Sequence, residues 1–375
     1  MNFASYSTYI DFCFGSFDEL ISSLKLIQKQ MGSLIHHYIL PIISLCLSKQ
    51  FLFLCIAVST SKINVAKNAN VSFKLGNGMT VTDADSSMSF NLSLINQDRI
   101  DVGKVFIKNY KPTVSAQIQR LRLRTRATFF HNKLLFALQL GFEPREVKKG
   151  RVMIDAYLRY TPIKYVSLQI GQANLPGNRE SMTSAHLQQF IDRSPTSALF
   201  RSDKDFSFQV HGNFGKKMLV KPIVSIATGE GRNYTDASFQ HFDYMARVEW
   251  LPLGNFNSYS QVNFSRDINP KLALGLAYDF NHKAIFQYGQ MGGNTIADSA
   301  QKSIHTVYAD LNFQWRGLNI NSDYVYRAVK KDTSNLYKKG HSFYVAAGYT
   351  FKKHYDVAFR YNHSFTDILK HRTDK

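Results

Sequence analysis

The stretch QRLRLRTRATFF, residues 119–130, places arginine at 120, 122, 124 and 126, with Leu121, Leu123 and Thr125 in the gaps. A strand sends alternate side chains to opposite faces, so Arg120, Arg122, Arg124 and Arg126 share one face. Leu121, Leu123, Thr125, Ala127 and Phe129 share the other. A helix would scatter the same arginines around its axis. The spacing therefore predicts a strand with one cationic and one apolar face. The next residues, KLLFALQLGF, predict its hairpin partner, turning at His131-Asn132, two residue types that tolerate positive φ. This register sets Arg126 opposite Ala137, Arg124 opposite Gln139, Arg122 opposite Gly141 and Arg120 opposite Glu143. On the other face Leu121 meets Phe142, Leu123 meets Leu140, Thr125 meets Leu138 and Ala127 meets Phe136. Small or polar residues opposite the arginines leave space for long side chains. Such a hairpin fits a soluble sandwich with a charged outer face, or a membrane barrel with a wet interior.

The strand rhythm along the chain favours the barrel. Candidate strands recur near 72–82, 86–98, 99–107, 115–129, 133–143, 151–161, 165–172, 206–214, 217–228, 242–252, 271–281, 302–315, 318–328, 341–352 and 355–364. Many approach the roughly 9–11 residues of a tilted membrane strand. Alternation is clear in HTVYADLNFQW, where Val307, Ala309, Leu311, Phe313 and Trp315 oppose Thr306, Tyr308, Asp310, Asn312 and Gln314. In HSFYVAAGYTF, Phe343, Val345, Ala347, Tyr349 and Phe351 line up, and YDVAFRYN alternates in the same way. Short connections at 131–132, 162–164, 215–216, 316–317 and 353–354 alternate with long ones at 144–150, 173–205, 229–241, 282–301 and 329–340. Only 253–270 is long where a short turn is due. Short turns at one end and long loops at the other are the pattern of an outer-membrane barrel. With 20 Tyr and 29 Phe, the chain is also rich in the aromatics of interfacial girdles.

In such a barrel each ladder arginine would cost about 2–4 kcal/mol facing lipid at mid-membrane, so the ladder must face the interior. At about 3.4 Å per residue it extends roughly 20 Å along the wall. The longest loop, 173–205, carries Arg179, Arg193, Arg201 and Lys204. Its segment RESMTSAHLQQFID predicts a short helix packing Met182, Leu187 and Phe190. A loop with its own apolar anchors can fold inward and narrow the pore, which makes those four cations candidates for a constriction.

Charge narrows the partners. Lys plus Arg is 46 against 27 Asp plus Glu, a net charge of +19. That implies an anionic partner: nucleic acid, an acidic surface or small anions. A soluble nucleic-acid-binding β protein would account for the charge but leaves the alternation of loop lengths unexplained. All three cysteines, Cys13, Cys46 and Cys55, lie within the first 60 residues. The cysteine-free remainder argues against a disulfide framework and thiol-ligated metal, and suits an oxidising periplasm. Residues 1–60 contain LIHHYILPIISLCLSKQFLFLCIAVSTS, with Lys49 ahead of a short apolar core and Ser59 and Ser61 after it. This reads as a secretory signal, with Met31 as an alternative start; one transmembrane helix over 34–58 is the rival reading. No G-x-S-x-G, P-loop or H-E-x-x-H is present, and the twelve His show no metal-ligand spacing. No catalytic residue, cofactor or metal is assigned. TGEGRNY at 228–234 offers backbone N–H groups to an anion, or is an ordinary loop turn.

The stretch 171–281 carries GQANLPGNRE, LQQFIDRS, SDKDFSFQVHG, TGEGRN, RVEWLPLGNF and NPKLALGLAYDFN, with GQMGG following at 289–293. In order and spacing these resemble the phosphate-selective porin O and P family in its Bacteroidetes-like form, over roughly residues 86–364. The resemblance implies an all-β, antiparallel up-and-down outer-membrane barrel of 16 strands, usually a homotrimer, passing phosphate or similar small anions. It implies an arginine ladder leading anions to a constriction carrying cations from infolded loops, and Arg120, Arg122, Arg124 and Arg126 match that ladder. About 15 strands are visible. The sequence ends in FTDILKHRTDK rather than a strand closing on an aromatic residue, so residues 61–375 are expected to form a barrel lacking its last strand. The expected function is passive anion diffusion; the alternative is a structural or adhesive outer-membrane barrel without selective transport.

Overall fold

The computed structural model describes residues 69–366 except 75, 104–112, 149, 235–240, 331, 333–334 and 352–354. Residues 1–60, read as the leader, lie outside the described residues. One antiparallel sheet contains fifteen strands, each hydrogen-bonded to its neighbours in sequence. They are β1 (Asn70–Lys74), β2 (Gly78–Thr82), β3 (Ser89–Gly103), β4 (Thr113–Phe129), β5 (Leu134–Gly141), β6 (Met153–Ile163), β7 (Val166–Asn174) and β8 (Lys204–Gly212). There follow β9 (Leu219–Ala227), β10 (Asp243–Leu251), β11 (Lys271–Ala284), β12 (Lys302–Trp315), β13 (Leu318–Val329), β14 (Gly340–Phe351) and β15 (Tyr355–Thr366). No helix among the described residues is long and apolar enough to cross a membrane. Strands, whose backbone groups pair with the neighbouring strands, do the crossing.

The number of strands matches the sequence reading, but two boundaries move. Residues 72–82, expected as one strand, are the β1–β2 hairpin. Gly76 and Gly78 take φ of 83° and 78°, and a Cβ at Gly78 would lie 2.2 Å from the Leu92 carbonyl oxygen. In place of the two strands expected over 86–98 and 99–107 there is the single β3 over Ser89–Gly103, with 104–107 outside the described residues. Asp98-Arg99 does not turn. It continues through a bulge, where the pairing passes from Gln97 with Arg120 to Asp98 with Ile118.

The β4–β5 register is the expected one from Arg122 opposite Gly141 to Ala127 opposite Phe136. The turn occupies residues 130–133, with Phe130, His131 and Asn132 all at positive φ. Alternation then sorts every later strand. On β10, Asp243, Met245, Arg247, Glu249 and Leu251 are buried, while Tyr244, Val248 and Trp250 are exposed. On β12, Thr306, Tyr308, Asp310, Asn312 and Gln314 point inward. The outward face is apolar and aromatic, and the interior is crowded with polar side chains, the inverse of a soluble protein. The burial pattern follows from the solvents: lipid outside, water inside.

Short turns at 130–133, 164–165, 213–218 and 316–317 gather at one end, and long connections at the other. The exception at 252–270 is real. This segment belongs to the turn end, yet Ser258, Gln261 and Asn263 are buried, because it folds into the lumen.

Leu276 stands mid-strand on the outward face of β11 and is 61% exposed. Leu276→Arg is expected to cost about 2–4 kcal/mol of folding stability in lipid, read from urea unfolding in vesicles, whereas Ala277→Ser on the inward face is expected to cost far less.

Candidate functional site

The segment between β7 and β8, residues 175–203, lies inside the sheet. Leu175 and Phe200 at its two ends are fully buried against Met245, Ala277, Tyr308 and Val325 of the wall. Instead of the single expected helix over RESMTSAHLQQFID, there are two short pieces: helix α1 (Arg179–Met182) and a 3₁₀ turn at Ala185–Leu187. Thr183 and Gln188 explain the break. The Thr183 hydroxyl donates to the Arg179 carbonyl at 2.9 Å, and the Gln188 amide donates to the Glu180 carbonyl at 3.1 Å, ending the helix with side chains. A second helix, α2 (Pro195–Phe200), is absent from the sequence reading. Its signature is Ser194-Pro195: the serine side chain caps the Ser197 N–H, and proline occupies the first helical position.

Polar contacts fasten this segment to strands far apart in the sheet. The Asp192 carboxylate receives Arg99 from β3 at 2.5 Å, and its carbonyl accepts from Arg360 of β15 at 2.9 Å. Asn178 donates to Asp323 of β13 at 2.8 Å, and Gln189 to Asp356 of β15 at 2.8 Å. Residues near opposite ends of the strand order thus meet on one loop, which requires the sheet to curl around it.

At the centre lies a buried ionic cluster. Arg179 donates to Asp310 at 2.9 Å and to Glu249 at 2.5 Å. Arg247 holds the same Asp310 with two bonds, 2.6 and 2.9 Å, and donates to the Gly177 carbonyl at 2.6 Å. Two arginines and two carboxylates cancel in charge. Burial opposes the Arg179 charge, but Asp310 and Glu249 outweigh it, and its pKa is raised. Gly275 makes the room: a Cβ there would lie 2.2 Å from Asp310 Oδ1 and 2.3 Å from Arg247 Nη2. From the other side, Ser258 of the 252–270 segment donates to Glu249 at 2.7 Å, and Tyr259 lies beneath the Arg179 guanidinium. The two infolded segments brace each other, and Gln261 N–H donates to the Leu187 carbonyl at 2.9 Å.

Between the infolded segment and the β4–β8 wall remains a cavity of about 340 Å³. All four ladder arginines line it. Their surroundings differ. Arg120 is buried, donating to the Gln97 side chain and, at 3.1 Å, to the Ile191 carbonyl. Arg122 pairs with Glu143 at 2.9 and 3.2 Å. Glu143, expected opposite Arg120, turns to Arg122 instead. β5 ends at Gly141, and Phe142 N–H closes on the Leu121 carbonyl, so residue 143 has left the ladder and its side chain swings across the bare face of Gly141. Arg124 makes one long contact, 3.3 Å, to the Ser184 hydroxyl. Arg126 is exposed to the lumen and has no hydrogen-bond or ion-pair partner among the described residues.

Of the four loop cations, Arg193 and Lys204 line the cavity and Arg179 and Arg201 do not. Arg179 is consumed by the ionic cluster. Arg201 faces Asp203 at 3.9 Å. Arg193 donates to the Glu180 and Thr183 carbonyls, both at 3.3 Å; burial, then neighbouring Arg201, bring its pKa down to about 9, still cationic at neutral pH. Lys204 is paired with Asp155 at 2.5 Å. The sequence reading passed over Arg159, a further lining cation, held by Gln169 at 2.9 and 2.5 Å. Its signal was present: in DAYLR, Asp155, Tyr157 and Arg159 alternate on the inward face of β6. His186, also missed, faces the ladder; burial and then Arg124, Arg122 and Arg126 lower its pKa to about 4. TGEGRNY is structural. The Gly229 N–H is taken by Asp205 at 2.6 Å and the Asn233 N–H by Gln172 at 2.8 Å.

The description phosphate-selective porin O and P fits residues 96–359, the region that holds the ladder arginines, the infolded segment and the ionic cluster. The chain belongs to that family. It is an outer-membrane channel protein. Among solved structures, a BenF-like porin from Pseudomonas fluorescens Pf-5 is similar at 10% identity, covering 80% of this chain and 91% of that one with a TM-score of 0.34. OpdK of Pseudomonas aeruginosa, solved with vanillate, is similar at 9% identity, covering 77% and 86% with a TM-score of 0.32. None of the curated proteins matches this porin.

Arg179→Ala leaves Asp310 and Glu249 short of a partner inside the lumen, and is expected to cost about 3–5 kcal/mol. The expected readout is tryptic cleavage at Arg193 and Arg201 in the folded porin, sites that the docked segment protects in the parent.

His186 gives a pH dependence. Its folded pKa lies below the ordinary 6.5, so between about 6.5 and 4 the undocked segment binds more protons, and docking weakens as pH falls through that window. Hydrogen exchange of residues 185–191 at pH 7.5 and 5 is expected to show the loss, and His186→Asn to flatten it.

Proposed function

We propose that this porin conducts small anions, phosphate or similar, by passive diffusion along the arginine-lined side of its lumen. The observation that carries this reading is the segregation of charge. Arg120, Arg122, Arg124, Arg126 and Arg159 stand together on β4 and β6, beside Arg193 and Lys204. Asp243, Glu249, Asp279, Asp310 and Asp323 stand on β10–β13. The acidic wall is covered by the infolded segment and answered by Arg179, Arg247 and Arg327. The cationic wall is left facing open space.

Arg124 and Arg126 are the strongest candidates for direct contact with the anion, because their donors are the least engaged. A guanidinium fork can replace part of the hydration shell of a phosphate or carboxylate oxygen. Arg120 and Arg122, tied to Ile191 and Glu143, shape the passage and carry less of the free field. Of the loop cations, Arg193 and Lys204 belong to the constriction, whereas Arg179 and Arg201 hold the loop. Several weak stations in series let an anion enter and leave. With the short turns in the periplasm, Arg126 lies toward the inner exit and Arg120 at the constriction. Secretion by the 1–60 leader and assembly as a homotrimer complete the proposal. They rest on the sequence reading and the family resemblance.

The test is reversal potential under a potassium chloride or potassium phosphate gradient in planar bilayers. Arg124→Ala/Arg126→Ala is expected to cut the anion-to-cation permeability ratio severalfold, because two like charges leave a narrow aqueous wall. Folding, followed by heat-modifiable gel mobility, is expected to be unchanged. Full anion selectivity in this variant would make the arginine ladder structural and remove the main support of this reading, and a parent without anion selectivity would leave the structural-barrel reading standing in its place.

A further inference from the structure

We infer that Glu143 is a specificity-determining residue: a resident counter-anion that occupies Arg122 and so weakens the middle station of the ladder. The inference rests on the anion-channel reading and assigns a role to a carboxylate where that reading would look for cations only.

Four observations converge on Glu143. It reaches the ladder face of β4: Nε and Nη2 of Arg122 both donate to its Oε1, at 3.2 and 2.9 Å. This is a contact to a single oxygen, so the rest of the Arg122 fork stays available. The carboxylate is almost fully buried, while the Arg122 side chain keeps 17% of its surface, so the acid backs the arginine and the arginine fronts the cavity. Its second oxygen, Oε2, is buried and has no hydrogen-bond partner among the described residues. Finally, the position is cut for it. A Cβ on Gly141 would lie 2.6 Å from Ile154 Cδ1 and 2.9 Å from Oε2, so a side chain opposite Arg122 would crowd the carboxylate.

The backbone also holds it. Glu143 opens the turn into the short helix Pro144–Lys148, and its carbonyl accepts from Glu146 and Val147 N–H. Arg122 could have been left free by the same fold with Gln at 143. Conduction explains the acid. A permeating anion must be held strongly enough to shed water and weakly enough to leave. A ladder of four unpaired arginines within roughly 20 Å would favour entry over exit. Placing one carboxylate behind the second rung reduces that station to near neutrality, and an arriving anion must compete with Glu143 for the Arg122 donors.

The experiment is a charge cycle on the full porin in planar bilayers, with Glu143→Gln, Arg122→Ala, the double variant, and Arg124→Ala/Arg126→Ala alongside. Glu143→Gln keeps shape and a hydrogen-bond acceptor but frees one unit of positive charge. It is expected to raise the anion-to-cation permeability ratio by about fourfold, since one charge about 10 Å away in water favours an anion by about twofold and disfavours a cation by as much. Phosphate conductance is expected to saturate at lower concentration. Arg122→Ala leaves a lone acid and is expected to lower the ratio. Arg122→Ala/Glu143→Gln, neutral like the parent pair, is expected to return to the parent value. Heat-modifiable mobility reports folding of each. If Glu143→Gln matches the parent while Arg124→Ala/Arg126→Ala loses selectivity, Glu143 is a structural partner and the inference is overturned with the channel reading intact. If Arg124→Ala/Arg126→Ala also keeps full selectivity, the reading beneath it falls as well.

Discussion

The shape of the lumen depends on one buried ionic knot, Arg247–Asp310–Arg179–Glu249. Two of its members are on β10, one on β12 and one on the segment that crosses the interior. Each carboxylate taken out of water needs donors, and only the paired arginines supply enough of them. The knot therefore forms fully or is costly. When formed, it places residues 175–203 against the acidic wall, with the Leu175 and Phe200 contacts as apolar support. The segment has little choice of side: a loop bearing Arg179 at its entry docks where the aspartates are.

That docking decides where the channel runs. The infolded segment and residues 252–270 fill the lumen beside β10–β15, and open space persists along β4–β8. The passage is thus off-centre, with one fixed wall of arginines and one wall of loop. The loop wall contributes few free charges, since Arg179 is spent in the knot, Arg201 faces Asp203, and His186 is held neutral by the arginines it faces. A neutral imidazole beside three guanidiniums avoids adding a like charge at the narrowest point. Selectivity in this arrangement comes from the strand-borne cations, and the loop sets the width.

Much of the fold was legible because a membrane strand states its two solvents residue by residue. The β4–β5 register could be read from Arg122 to Ala127 since a one-residue slip would set lumen-facing arginines beside lipid-facing neighbours, and the short turn at 131–132 excluded longer slips. The same logic would have found Arg159, had DAYLR been treated as a continuation of the ladder. Legibility failed where that rule stops. Glu143 sits one residue beyond β5, where the chain leaves the ladder and alternation no longer aims the side chain. The β1–β2 turn was missed because 72–82 was read straight through Gly76-Asn77-Gly78, and β3 was split at 98/99, where the strand instead continues through a bulge. The split helix and the Pro195–Phe200 helix depend on side-chain caps within a loop, a local chemistry that hydrophobic period does not report.

The loop cations show most clearly what a sequence alone withholds. Arg179, Arg193, Arg201 and Lys204 are equivalent as residue types, and all four lie in or beside the same connection. Their different fates follow from the acids each one meets: Glu249 and Asp310, distant in sequence, claim the first, the near neighbour Asp203 faces the third, and Asp155 of β6 pairs with the fourth. Only Arg193 is left with carbonyls alone. Charge counted along a chain measures how many cations are present. The number available to a passing anion is set by which carboxylates the fold brings to each one, and here the two least engaged are on β4, in the stretch where alternation is most regular.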